Sequence, residues 1–496
     1  MSSVTVPGTG SSTITIPYPT ATSFSVAQQI ANAIAAASSA GSLSVVGATA
    51  TGGFTTAPGP SGVAPELVVA GSTAGGVVSV PSGYNYVVDN AIVPITLTGG
   101  AASVLAGTVG GGFFFTGNST IAAGGGNNLA YIAGPGTYLA VTGAGNDTLY
   151  GFGTAGTLSG AAGSNLYFGA TTGGGTSVVS SGTGDTVLAL GGAMAVTSSG
   201  ASSLTFGAYS AGGSLLESVT GANATISGAG SSTSVTLAGS KAIVFGGVNS
   251  QLTGVTAGSL SVVDTGTGDT IGAGDSATTV VAGAGSTNLW AFGGSKNLNF
   301  LGGAGSATVV AASGATSVVG GTGNLVFSGT SSNSTVSGGG GNVTLFGGSG
   351  VVNFSASAGS ALLVAGAGND TLNAGGATNN LLVFGGSNSA GTDAVIAGKG
   401  NDTLVGGKGS ETFTGGGGTD QYFFVQSLGG GTNAVITDFS TLNGAMALFG
   451  YGQTTAQVLA TATNSLTNTT ITLSDSTKIT FIGVSASQLS GHLTSS

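Results

Sequence analysis

From residue 305 the chain repeats every nine residues. Positions 305, 314, 323, 341, 350, 359 and 368 are Gly, and position 332 is Ser. Four residues after each lies an apolar side chain: Val309, Val318, Phe327, Val336, Leu345, Phe354, Leu363 and Leu372. A Gly turn alternating with a short apolar strand at this period is the rhythm of a parallel β-solenoid. Two nonapeptides make one coil, so residues eighteen apart stack and the apolar column fills the interior. Leu381 continues the series. A shift of five residues near 386–391 then resets the phase, as a loop or bulge does.

Upstream the pattern is looser. Short β-like runs, VTV and TITI, open the chain, and a helix is expected over roughly 23–38, with Val26, Ile30 and Ile34 on one face. Ser23 or Ser25 is the expected cap, and Gly41 ends the helix. The helix either belongs to a small head, caps a solenoid end or offers a contact surface. The stretch 52–65 holds three of the nine prolines and reads as a linker or long loop. From 66 onward short apolar runs alternate with Gly, Ala, Ser, Thr and Asn turns. The expected fold is all-β: a right-handed parallel β-roll or β-helix solenoid with a small N-terminal α/β head and a C-terminal β cap. Its expected segments are a head at 1–65, an irregular solenoid at 66–304, regular metal-free nonapeptides at 305–390, a calcium-binding block at 391–432 and a cap at 433–496.

The calcium expectation comes from the ligand position, two residues after the Gly. From 307 to 361 it holds Ala307, Thr316, Leu325, Ser334, Val343, Val352 and Ala361, none of them acidic. Acid appears at Asp370, and Asn379 follows nine residues on. Then Asp393, Asp402, Glu411 and Asp420 stand nine apart, each two residues after Gly391, Gly400, Gly409 and Gly418. Ca²⁺ takes six to eight hard oxygens, so carboxylates with backbone carbonyls suit it, and Gly turns bring those carbonyls close. Stacking pairs Asp393 with Glu411 and Asp402 with Asp420. The candidate metal residues are Asp370, Asp393, Gly398, Gly400, Asp402, Gly407, Gly409, Glu411, Gly416, Gly418 and Asp420. Weaker candidates are Asp147 in GAGNDTLYG, Asp185 and Asp269 in GTGDT, and the neighbouring Asp264 and Asp275. The last three form either an irregular calcium site or Asx turns, and an acid/base role is the remaining alternative.

AGKGNDTLV, GGKGSETFT and GGGGTDQYF resemble the RTX family of hemolysin-type calcium-binding repeats, whose consensus is GGxGxDxUx. Ala397 and Glu411 depart from it, and the extra methylene of Glu411 makes its pair the poorer match. The resemblance implies Ca²⁺ held between same-side turns and export by a bacterial type I secretion system. The runs ITDF (436–439) and TITLSDSTKITFIGV (470–484) resemble the segment that follows such repeats. Alternation at Ile471, Leu473, Ile479 and Phe481 predicts two strands about a Ser-Asp-Ser turn, which would cap the last solenoid edge.

Composition narrows the function. Of 496 residues 99 are Gly, 4% are charged and the net charge is −10. With five Lys, no Arg and no basic patch, nucleic acid and anionic membranes are poor partners. No run of 18 apolar residues predicts a membrane-spanning helix. Cys is absent and His492 is the one imidazole, expected to be a solvated tail residue, so no zinc site, catalytic triad or Cys-His pair can be assembled. Trp290 and Phe113–Phe115 are expected in the core, and Lys399 and Lys408 at solvated turn tips. A non-enzymatic, secreted structural protein is expected: folded by Ca²⁺ outside the cell, self-associating in a surface layer, filament or biofilm matrix. An adhesin using one solenoid face for a glycan or cell-surface ligand is the alternative.

Overall fold

The computed structural model describes the chain apart from residues 49–63, 71–74, 170–173, 200–202, 209–213, 221–222, 229–231, 239–240, 255–257, 284–288, 357, 389–390, 430–432 and 466. Most of the Pro-rich stretch 52–65 therefore lies outside the described residues. The chain divides into two units, Met1–Leu252 and Thr253–Ser496. Each is a parallel β-solenoid: alternate strands build two parallel sheets, and the solenoid strands pair with those one coil away.

In the first unit, strands Ser2–Pro7 and Thr13–Tyr18 pair antiparallel and lead into helix Ala21–Ser39. Thr20, rather than Ser23 or Ser25, caps the helix: its Oγ accepts the Ser23 N–H at 3.3 Å. Gly41, at φ +68°, supplies the left-handed residue that ends it. The helix lies on the flank of the solenoid instead of closing its end. Val26, Ile30 and Ile34 share one cluster with Val88, Leu105, Ala122 and Val141, which point outward from four successive strands. The inward column of those strands is Val87, Val104, Ile121 and Ala140. Being covered on both faces, the strands read as unbroken apolar runs such as SVLA and TIAA. The solenoid also begins before residue 66, because strand Leu43–Ala48 pairs in parallel with Ala64–Ala70.

In the second unit the nonapeptide rhythm is realised as expected. Val309, Val318, Phe327, Val336, Leu345, Phe354, Leu363 and Leu372 are all buried, and so are the residues two before them. Each four-residue strand thus sends two side chains inward. No break falls at 304/305, since Leu298–Leu301 pairs directly with Thr316–Val319. The phase shift is divided between two turns. Val383, not Leu381, stacks on Leu363, and Leu381 stacks on Ala361 in the ligand column. The turn after Leu372 therefore carries two extra residues, and the turn between Val383 and Val395 carries three. Insertions at turns leave the inward columns in register. We expect Phe327→Ala to lower stability by about 3–5 kcal/mol, as for other buried Phe truncations, read as a fall in the thermal midpoint. A smaller loss than about 1 kcal/mol would mean that neighbouring coils collapse into the gap.

The C-terminal hairpin forms as read from its alternation. Asn468–Thr472 and Lys478–Phe481 pair antiparallel, and Lys478–Phe481 covers the edge strand Asn433–Ile436. Ser476, at φ +74°, makes the turn. His492 is no solvated tail residue: its Nδ1 lies 2.8 Å from the Gly444 carbonyl and its ring meets Phe439 edge-on. Trp290 is likewise not in the core. It is 47% exposed and stacks on Phe292 on the outer face. Phe113 and Phe115 are buried, while Phe114 points outward onto Tyr131.

Candidate metal centre

Asp370, Asp393 and Glu411 form one column, and Asp402 and Asp420 another. Asp393 lies directly opposite Glu411 in the strand register. Asp393 Oδ1 accepts the Asp370 N–H at 2.8 Å, and Asp420 Oδ1 accepts the Asp402 N–H at 3.1 Å. The second carboxylate oxygen of several acids closes the turn four residues back. Gly366 N–H donates to Asp370 Oδ2 at 2.7 Å, Gly398 N–H to Asp402 Oδ2 at 2.9 Å and Gly407 N–H to Glu411 Oε1 at 2.5 Å. The sequence rule Gly-x-Gly-x-Asp is thus a hydrogen-bonded turn in which the acid folds back on its own Gly.

The turn glycines are required by the coil beneath. A Cβ on Gly416 or Gly418 would collide with the carbonyl oxygen of Gly398 or Gly400, and both residues have positive φ, +91° and +97°. A Cβ on Gly407 would likewise collide with the Gly386 carbonyl oxygen, and Gly398, Gly400 and Gly409 also sit against carbonyl oxygens of the preceding coil. Carbonyl oxygens therefore line the turns beside the carboxylates. Lys399 and Lys408 are exposed at the tips, as expected.

All five acids are nearly inaccessible to water. Burial pushes the Asp393 and Asp420 carboxyls up to about 6 and Glu411 up to about 8, and raises Asp370 and Asp402 in the same direction. Asp393 Oδ2 and Glu411 Oε2 are buried with no hydrogen-bond donor. Orphaned anionic oxygens on successive coils, beside inward carbonyls, fit a hard cation. Among the described residues no three acidic or imidazole side chains converge. An ion here would therefore take a carboxylate pair and complete its shell from backbone oxygens. Asp393 with Glu411 and Asp402 with Asp420 would hold it, cancelling the charge repulsion that otherwise opposes stacking.

The weaker candidates behave differently. Asp264 accepts the Gly266 N–H at 3.2 Å, an Asx turn, and Asp275 is exposed and accepts the Ser295 hydroxyl. Asp269 is buried, but the three do not gather into one site. Asp147 and Asp185 share a buried column with Asn128 and Asn165, two residues that sequence reading passed over. Asp438 was also passed over. It lies in the ITDF run and accepts the Gly415 and Gly416 N–H groups, both at 2.7 Å. Asn379, nine residues after Asp370, is displaced from the ligand column by the extra turn residues.

The family model of the RTX calcium-binding nonapeptide repeat matches four segments, 139–167, 328–351, 355–383 and 387–422. These four segments are RTX-type repeats, of the calcium-binding kind found in typically secreted proteins. The last copy contains the carboxylate columns from Asp393 to Asp420. The copy at 328–351 has the turn-and-strand rhythm with Ser334 and Val343 at the ligand position, so the fold of the repeat does not depend on the acid. No curated protein and no solved structure matches the chain.

Proposed function

We propose that the protein is a secreted, calcium-stabilised structural protein that self-associates at the bacterial cell surface. The observation that carries the calcium part is the stack of buried carboxylates with orphaned oxygens. Inside the cell, where free Ca²⁺ is scarce, charge repulsion and lost hydration keep this block loose for passage through a type I system. Outside, Ca²⁺ binding adds RT ln(1 + [Ca²⁺]/Kd), about 2.7 kcal/mol per site at a hundredfold excess. The reading includes no catalytic step. Circular dichroism of the calcium-free protein titrated with Ca²⁺, with Mg²⁺ as control, tests it. A rise in β-signal specific to Ca²⁺ is expected. A β-rich spectrum indifferent to Ca²⁺ would reject calcium-coupled folding.

The self-association part is supported by one face of the second unit. Eight paired strands from Leu289–Phe292 to Gln421–Val425 turn Trp290, Phe292, Val326, Phe346, Leu382 and Phe423 outward, with no charged residue among the outward positions. The strip measures roughly 40 Å by 13 Å from strand spacing and rise. Two such strips bury about 1,000 Å² in all, the lower bound for a specific interface. We assign the face to a second copy of this chain, because only a partner with the same strand spacing matches its rungs coil for coil. Sedimentation of the Ca²⁺-loaded protein should show a dimer or larger species that Phe346→Lys with Leu382→Lys converts to monomer. A parent that sediments as a monomer, or association unchanged in the variant, would reject this face.

The adhesin reading has its own support. On the first unit Phe114, Tyr131, Tyr150 and Phe168 form an outward ladder with centroid spacings of 6.0, 5.6 and 4.3 Å. Beside it lies a groove of about 480 Å³ lined by Thr96, Gly112, Phe114, Asn127, Leu129 and Asn146. Apolar ring edges flanked by amides suit a glycan. Loss of binding to an insoluble polysaccharide in Phe114→Ala with Tyr131→Ala would support this second reading. No binding by the parent would reject it.

A further inference from the structure

The segment 139–167 matches the calcium-binding repeat, yet its ligand column alternates Asn128, Asp147, Asn165 and Asp185 on successive coils. In the C-terminal block, acid follows acid. The side-chain nitrogen of Asn128 is surrounded by oxygens: the Gly125 carbonyl at 3.3 Å, the Gly126 carbonyl at 3.0 Å and Asp147 Oδ1 at 2.8 Å. Asn165 repeats the arrangement, with its Nδ2 3.0 Å from the Ala161 carbonyl and 2.9 Å from Asp185 Oδ1. Two turn carbonyls and the carboxylate of the next coil are the oxygens a calcium ion would gather. The amide orientation follows from the chemistry: turning it over would aim Oδ1 at those oxygens with no hydrogen between them.

The backbone completes the ladder. Asn128 N–H and Asn165 N–H donate to Asp147 Oδ1 and Asp185 Oδ1, each at 2.8 Å, and Asp147 N–H donates to Asn165 Oδ1 at 3.1 Å. Asp185 Oδ2 further accepts the Ser180 hydroxyl and the Gly182 N–H. Neighbouring rungs set an amide against a carboxyl group, never two carboxyl groups together, so no acid meets an acid at the roughly 5 Å strand spacing.

We infer that the side-chain amides of Asn128 and Asn165 occupy the place of the calcium ion in this column, making these coils a metal-independent counterpart of the C-terminal block. The first unit then folds without Ca²⁺, while the C-terminal repeats wait for it. The inference goes beyond the calcium reading of the C-terminal block and does not require it.

Asn128→Asp with Asn165→Asp, in the full chain, tests this. The change places acids on four consecutive rungs. The variant should lose thermal stability in calcium-free buffer, recover it on adding Ca²⁺, and bind more Ca²⁺ per chain than the parent by calorimetry. Asn128→Ala should lose stability equally with and without Ca²⁺. A pair of Asp substitutions that gains neither calcium-dependent stability nor extra bound Ca²⁺ would overturn the inference. Should that variant not fold, Asp147→Asn decides. It leaves the bound Ca²⁺ unchanged if the amides stand in for the ion, and a fall in bound Ca²⁺ overturns the inference. The parent's own calcium stoichiometry tests the C-terminal block separately.

Discussion

Asp402→Ala combined with Asp420→Ala raises the Ca²⁺ concentration needed for half-maximal β-structure by at least about tenfold, equivalent to about 1.4 kcal/mol. The two carboxylates sit on consecutive coils and are joined through the Asp402 N–H. Asp402 also holds its own turn and the coil before it in place, since its Oδ1 accepts the Leu381 N–H at 2.8 Å and its Oδ2 the Gly398 N–H. The substitution therefore removes both candidate ligands of one column, one turn-closing acceptor and two acceptors of bonds between coils. The second effect lowers stability at every Ca²⁺ concentration; the first appears only as a displaced midpoint. Asp402→Asn with Asp420→Asn separates them in part: the charge is gone and the amide oxygen still accepts one N–H at each position, while at Asp402 the amide nitrogen faces the second donor. If both pairs leave the calcium midpoint where the parent has it, this column holds no Ca²⁺ that matters for folding. The same pair of changes at Asp393 and Glu411 should act in the same direction on the opposite column.

The strand rhythm was legible because period and burial coincide. Every apolar position of the 305–372 register is an inward one, and an interior column tolerates no slip. Turns tolerate slips, so the five-residue shift was visible as a number but not in its division. Leu381 looked like the next interior rung because it is apolar and nine residues on, yet two extra turn residues make it the ligand-column rung and Val383 the interior one. Trp290 was misplaced for a related reason. An apolar strand residue at an odd step from the Gly faces outward, and hydrophobicity alone does not distinguish the faces. That the helix covers a sheet from outside was not legible, because such a cover leaves no period of its own. It shows only as doubled apolar residues at Val87–Val88 and Val104–Leu105.

The acids of the candidate centre stood out because Gly-x-Asp at a fixed period is rare by chance. In the first unit our inference turns on neutral residues. Asn128 and Asn165 carry no charge and attract no attention in a chain rich in Asn, Ser and Gly. Their meaning depends on the three-dimensional register, with spacings of nineteen, eighteen and twenty residues along the column instead of a constant eighteen. Asp147 read alone is a calcium ligand; read beside Asn128 it is already satisfied at Oδ1.

In calcium-free buffer the protein is more stable at pH 5 than at pH 8, the reverse of the usual effect of carboxylates that are paired in the fold. Burial raises Asp393 and Asp420 to about 6 and Glu411 to about 8, whereas the unfolded chain titrates them near 4. The folded state therefore binds more protons than the unfolded state between these values, and stability falls as pH rises through that window. Below about pH 4 both states are protonated and the contribution is fully present. The proton acts as a poor substitute for Ca²⁺: it neutralises the stack without bridging it. Two consequences follow in thermal melts. Saturating Ca²⁺ removes the part of the pH dependence due to Asp393, Glu411 and Asp420, and acidification raises the Ca²⁺ concentration required. A residue of the trend persists in Ca²⁺, because burial also lifts Glu66 to about 7 and Asp89 to about 6, far in sequence from the calcium block. Glu411→Gln is the sharpest probe. It should raise calcium-free stability at pH 8 and erase the upper arm of the curve between about pH 6 and 8. Calcium-free stability that instead rises from pH 5 to pH 8 would mean that the stacked carboxylates are charged and solvated in the folded protein, and the repulsion assigned to the block would have no physical basis.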